Sequence, residues 1–166
     1  MDLGRALRHL FTPHRAVARV FPDASMQAIE RGIAEEEKRH AGEIQFAVES
    51  ALPLIELLRG TSARRRAIGW FARLHVWDTA HNSGVLIYLL LADRRIEIVA
   101  DRGISAKVDG RTWELICGEM QREFAKGRFQ QGVVLGIRAI GDVLAAHFPA
   151  RGGPNPNELP DKPVVL

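Results

Sequence analysis

The chain has 166 residues, 46% of them apolar and 26% charged, with a single cysteine and a formal net charge of +3. That length suits one domain with tails and a core of its own, and the composition is that of a globular protein. A lone Cys117 excludes an internal disulfide and a thiolate metal cage. Arg5, Arg8, Arg15 and Arg19 against Asp2 already amount to +3 within residues 1–20, so the rest of the chain balances. A basic arm, rather than a basic domain face, argues against a nucleic-acid partner. No apolar stretch is long enough to span a bilayer, and the N-terminus lacks the apolar core of a signal peptide; the expectation is a cytoplasmic protein.

Residues 1–20 place Leu3, Leu7 and Leu10 on one helical face with Arg5, Arg8 and His9 around it. Such a short basic amphipathic arm suits an anionic membrane surface or docking onto the domain. From Asp23, which has the chemistry of an N-cap, Met26, Ile29 and Ile33 mark a helix to about His40, with Glu35, Glu36 and Glu37 as its solvated charge. Gly42 ends it. Residues 43–50 alternate Ile44, Phe46 and Val48 with Glu43, Gln45 and Glu49 as a strand. Thr61 is expected to cap a largely buried helix reaching about Trp77, with Ile68, Phe71 and His75 on one side and Trp70 and Leu74 on another.

Residues 77–103 carry the strongest local signal. Residues 85–91 form an unbroken apolar run, as in a strand covered on both faces; residues 92–95 turn the chain, and residues 95–100 resume with Ile96, Ile98 and Val99. Strand, long helix and strand make a βαβ crossover with parallel strands, and the hairpin adds an antiparallel third. Two helices follow, residues 111–126 and 130–148, punctuated by Gly127. Cys117 falls in the apolar register of the first, as an inert thiol. The domain is thus expected over 21–149. Residues 150–166, rich in Gly, Pro and Asn, read as a mobile tail whose closing Val164, Val165 and Leu166 could also join a sheet edge.

This topology gathers a candidate site. The hairpin returns the loop before its first strand (Asp78, His81, Asn82) beside the loop after its second (Asp101, Arg102, Gly103), and the parallel pairing brings His40 and Glu43 to the same edge. Seven strand residues at about 3.3 Å each leave Asp93, in the turn, roughly 23 Å away. Oxygen donors from Asp78, Asn82, Asp101 and Glu43 suit calcium or magnesium, with His81 and His40 as further ligands or as an acid/base. Three functions follow: a non-catalytic module holding a divalent cation and a protein or membrane partner, a metal-assisted phosphate-ester hydrolase, or a scaffold whose loops only bond to each other. In the last case Gly84 and Gly103 relieve positive backbone angles and Asp101 forms a surface ion pair. Neither a phosphate-binding glycine loop nor a nucleophile elbow is present, and the cluster sits at the starting ends of the parallel strands, opposite to where open sheets usually bind ligands.

Three segments resemble the TPM domain family: Asn82-Ser83-Gly84-Val85-Leu86-Ile87, Asp93-Arg94-Arg95-Ile96-Glu97-Ile98 and Asp101-Arg102-Gly103-Ile104. Glu37, Gly42-Glu43-Ile44 and the segment from Phe124 to Gly132 extend the likeness to roughly residues 21–148. That family includes a thylakoid-lumen acid phosphatase, a photosystem II repair protein and an acetylcholine-receptor modulator. The resemblance implies a three-layer α/β/α sandwich around a small mixed sheet. It also implies calcium or another divalent cation as ligand, and phosphatase activity in some members. Family members are often exported and membrane-tethered. The lead-in Trp77-Asp78-Thr79-Ala80-His81 and the exit Ala100-Asp101-Arg102 depart from the glycine-richer family pattern.

Overall fold

Alternation along the strands sends side chains to opposite faces, and here both faces are apolar, so the sheet needs a cover on each side. A computed structural model describes residues 3–150 and 156–166 and shows both covers. The sheet comprises β1 (Glu43–Glu49), β2 (Gly84–Leu90), β3 (Arg95–Ala100) and the short β4 (Val164–Val165), in the order β3-β2-β1-β4. β1 is parallel to β2, with Glu43 opposite Gly84 and Phe46 opposite Ile87. β2 and β3 form the antiparallel hairpin, with Ile87 opposite Ile98. This is the expected α/β/α sandwich with an open, mixed sheet.

One face carries Ile44, Phe46 and Val48 of β1, Val85, Ile87 and Leu89 of β2, and Ile96 and Ile98 of β3. It packs under α3 (Asp23–Glu36), α7 (Gly110–Ala125) and α8 (Phe129–His147), through Ile29, Ile33, Ile116, Met120, Val133, Ile137, Ile140 and Leu144. The opposite face carries Ala47, Leu86, Tyr88 and Val99 and meets α4 (Leu54–Leu58) and α5 (Ala63–Arg73). Gly127, at φ 74°, takes the left-handed backbone that ends α7. Cys117 is half-buried, and burial pushes its thiol up to about 11, so it stays protonated and unreactive at neutral pH.

Several expectations are corrected. Ser62, not Thr61, caps α5 by accepting the Arg65 N–H, while the Thr61 hydroxyl donates to Glu56. α5 is not buried around its girth: it meets the sheet through the small residues Ala63 and Ala67, leaving Ile68 50% exposed and Trp77, beyond its end, 48% exposed. Small side chains let that helix approach closely, and its larger ones lie at the margin. His75 is exposed at φ 55°, just beyond the end of α5, rather than lying in the core. α3 begins at Asp23 without a side-chain cap bond and ends at Glu36, short of His40.

The segments near both ends of the described chain are engaged. α1 (Leu3–Phe11) is docked by its polar side, and α2 (Ala16–Val20) buries Val17, with Phe21 just beyond it, in the main core. The tail is not left free: β4 pairs in parallel with Ala47 and Val48, and the Leu166 N–H donates to the Val48 carbonyl. Adding a strand there covers the open edge of β1, which would otherwise present unpaired backbone groups. Residues 1–2 of the expected arm and 151–155 of the expected tail lie outside the described residues.

Candidate functional site

The backbone converges at the starting ends of β1 and β2. The Asp101 N–H donates to the Gly84 carbonyl at 2.9 Å, the Gly103 N–H to Asn82 at 2.9 Å, and the Ser83 hydroxyl to Ala41 at 3.2 Å. The loops before β2 and after β3 therefore do meet beside the start of β1. Gly84 and Gly103 serve this meeting by their lack of a Cβ and not by positive φ. A Cβ on Gly84 would overlap the Val76 carbonyl, and one on Gly103 would overlap the carbonyls of His81 and Asn82. The left-handed residue is Asn82 itself, at φ 51°, a conformation its short polar side chain tolerates.

The side chains do not converge with the backbone. Asp101 is buried; its Oδ1 accepts the Arg102 N–H at 2.7 Å and caps α6 (Arg102–Ser105), so it is a helix cap and not a surface ion pair. Its Oδ2 is buried and has no hydrogen-bond partner among the described residues. Asn82 Oδ1 accepts from Arg102 Nε at 3.1 Å. Asp78 and His81 are exposed, His81 tilted beside Phe148 with centroids 6.4 Å apart. His40 is fully buried, with Nδ1 3.0 Å from the Gly42 carbonyl oxygen, and burial drives its pKa down to about 4, so the ring is neutral at pH 7. Among the described residues, no three His, Cys, Asp or Glu side chains are grouped to hold a metal ion.

Glu43 has a different task. Its Oε1 accepts the Glu158 N–H at 3.3 Å and its Oε2 the Leu159 N–H at 3.2 Å, clamping the C-terminal segment onto the sheet. Burial raises its pKa to about 7 despite those two donors. Glu37, expected to be solvated on α3, lies just past it and is only 9% exposed. Its Oε1 accepts the Ile44 N–H at 2.9 Å, and burial pushes its pKa up to about 9. The neighbouring Glu43 and Asp161 raise it further. Gln45 Nε2 donates to the Lys162 carbonyl, and the Ala80 N–H donates to Glu158, closing the clamp. The clamp was hidden in the sequence because its tail half lies more than a hundred positions from Glu37 and Glu43.

The opposite end of the sheet holds two further carboxylates. Glu49, at the end of β1, accepts Arg66 Nη2 at 2.7 Å, Tyr88 Oη at 2.5 Å and Trp70 Nε1 at 3.3 Å. Burial and the bond to Glu49 hold the Tyr88 phenol far above its ordinary pKa. Arg66 and Arg73 each sit 5.1 Å from the Trp70 ring centroid. In the hairpin turn, Asp93 accepts Arg5 Nη2 at 2.8 Å and lies 2.9 Å from His9 Nε2. Burial alone would raise the Asp93 pKa, but the bonds from Arg5 and His9 hold it below the usual carboxylate range. His9 Nδ1 accepts the Leu52 N–H at 2.9 Å, so its proton sits on Nε2 and is given to Asp93.

A mixed four-stranded sheet, layered between α3, α7 and α8 on one side and α4 and α5 on the other, defines a small α/β/α sandwich with paired loops at one edge. The TPM domain profile matches residues 16–143, and the chain belongs to the TPM domain family. Among solved structures it is similar to the BA42 protein of the psychrophilic bacterium Bizionia argentinensis, determined by NMR. The two are 30% identical with a TM-score of 0.76, over 86% of this chain and 93% of that one. No curated protein matches.

Proposed function

We propose that the chain is a non-catalytic TPM module that seats on an anionic membrane surface through α1 and α4. The observation that carries this is the way α1 is mounted. Its polar side faces inward, with His9 buried against Leu52 and Asp93 and Arg5 bonded to Asp93 and the Thr61 carbonyl. Its apolar side faces solvent, with Leu10 and Phe11 each 76% exposed. Leu52 and Thr61 bracket α4, which adds exposed Leu54, Ile55 and Leu58 from the same part of the molecule. An amphipathic helix fixed by its polar face leaves its apolar face for another apolar phase, and an exposed apolar surface rimmed by charge marks an interaction site. Exposed Arg8, on α1 itself, adds a positive charge suited to anionic lipid. No helix among the described residues is long and apolar enough to cross a membrane.

Co-sedimentation with phosphatidylcholine vesicles, with and without phosphatidylglycerol, tests this. The full chain binds the anionic vesicles more tightly, and added salt weakens the binding. Leu10→Glu with Phe11→Glu, at positions that carry no packing, lowers binding on the order of tenfold or more. Equal binding to neutral and anionic vesicles, or none to either, overturns the proposal. Self-association in the absence of vesicle binding would instead make this face a contact between copies.

A second reading, a divalent cation at the loop edge, rests on the buried Oδ2 of Asp101, a carboxyl oxygen without a hydrogen-bond partner among the described residues. Calcium titrated into chelator-treated protein binds if it is right, and Asp101→Ser, which keeps a capping oxygen, removes the heat without unfolding the chain. Binding that survives Asp101→Ser sinks it. The hydrolase reading gains no such observation, because Asp78 and His81 are exposed while Glu43 is occupied by the tail.

A further inference from the structure

At the end of the sheet opposite the clamp, a groove of about 720 Å³ runs between α2, the β2–β3 turn and the junction of α7 and α8. Its volume lies within the range of small-molecule sites, roughly 300–1,000 Å³. Its position, beyond the carboxyl end of a parallel strand, is where open α/β sheets receive ligands. We propose that this groove binds an amphipathic anion, a carboxylate carrying an unbranched aliphatic chain.

Apolar side chains make up the larger part of the walls. Leu89 and Leu91 come from the end of β2, Val20 from α2, and Phe124 and Phe129 from the two sides of the α7–α8 turn. The two phenyl rings lie 5.1 Å apart at 34°, forming one continuous aromatic surface. Sequence explains why Phe124 can take that place: a Cβ on Gly132 would overlap its ring, so the first turn of α8 must be bare there. The segment from Phe124 to Gly132, which carries part of the family likeness, is in this respect the construction of the groove wall.

The charge left unpaired at the rim is positive. Asp93, Arg94 and Arg95 all border the groove. Asp93 is already paired with Arg5 and hydrogen-bonded by His9, and Arg95 stands in the field of Glu97. The Arg94 side chain makes no hydrogen bond or ion pair with any described residue, and its backbone at φ 51° sets it at the apex of the turn. An apolar trough ending in an unpaired guanidinium complements a chain with an anionic head. A cationic head would meet only the occupied Asp93, and a neutral chain would leave the guanidinium uncompensated.

Sodium dodecanoate below its aggregation concentration is the probe, titrated into the ¹⁵N-labelled full chain and read by amide shifts and by calorimetry. Shifts are expected around Leu91, Arg94, Gln121 and Gly127, with binding at least tenfold tighter than that of dodecyltrimethylammonium. Ala125→Trp, which fills the groove from an exposed position, weakens dodecanoate at least tenfold. Arg94→Gln weakens it at least fivefold. Arg94→Gly does the same and suits the left-handed backbone there, so its loss of binding cannot come from misfolding. Absence of binding, equal affinity for the cationic detergent, insensitivity to these variants, or shifts confined to α1 and α4 each overturn the proposal. The last outcome would assign the apolar chain to the membrane-seating face instead, so the two proposals fail separately.

Discussion

The two ends of the sheet treat their carboxylates differently. At the starting ends of β1 and β2, Asp101 through its Oδ1, Glu43 and Glu37 accept from backbone N–H groups and serve to cap, clamp and turn the chain. At the finishing ends, Glu49 and Asp93 are satisfied by side chains: Arg66 and Tyr88 for one, Arg5 and His9 for the other. A carboxylate held by neutral N–H donors keeps an uncompensated charge when ionised, and burial then raises its pKa, as for Glu37 and Glu43. A carboxylate held by a guanidinium is compensated, and Asp93 accordingly moves the other way. The first end holds its carboxylates with backbone donors, while the second consumes arginines to compensate them.

Arg66 tests the compensated end with the largest expected effect. Arg66→Ala leaves Glu49 buried with only Tyr88 and Trp70 as donors, and it also removes a cation from the Trp70 face. Breaking a buried ion pair from one side costs about 3–5 kcal/mol, so urea unfolding should show a loss of that order. Converting the whole group, Arg66→Met with Glu49→Leu and Tyr88→Phe, removes the buried charge together with the donors that need it and should recover most of the loss. If the single variant unfolds like the parent, Glu49 is not held by Arg66 and the contrast between the two ends fails.

The hairpin and crossover were legible in the sequence because each rests on local periodicity: the apolar run of β2, the alternation of β1 and the helical spacing of α7 and α8. The meeting of the two loops followed from that topology alone. The side-chain destinations did not. Whether Glu37 faces water or Ile44 depends on where α3 ends, and the helix stops four residues before His40. Sequence places Glu43 with the loops, since the tail that occupies it is distant in the chain and lacks periodicity. Glu49 looked like an ordinary polar alternate of a strand, since nothing local announces that Arg66 and Trp70, one turn apart on α5, close over it. The hairpin alone separates Asp93 from Asp101, but the pairing of Asp93 with Arg5 and His9 depends on the docked position of α1.

Glu37 tests the neutral end with a smaller effect of definite sign. Its folded pKa of about 9 stands above the 4.5 of an unperturbed glutamate. Such a group favours the folded state fully below its unfolded pKa, and that advantage is lost as the pH rises through the window from 4.5 to about 9. Glu37→Gln mimics the protonated carboxyl: its oxygen still accepts the Ile44 N–H, and its amide can donate to Asp161. The variant should match the parent at pH 5 and exceed it at pH 9, with a melting temperature higher by several degrees. A residual slope from pH 4.5 to about 7 should remain in the variant, because Glu43 titrates there. The additional substitution Glu43→Gln removes that slope too but weakens two charge-assisted bonds to the tail. If Glu37→Gln and the parent fall in parallel from pH 5 to pH 9, the carboxyl that binds Ile44 is ionised throughout, and the two ends of the sheet are not distinguished by who supplies their donors.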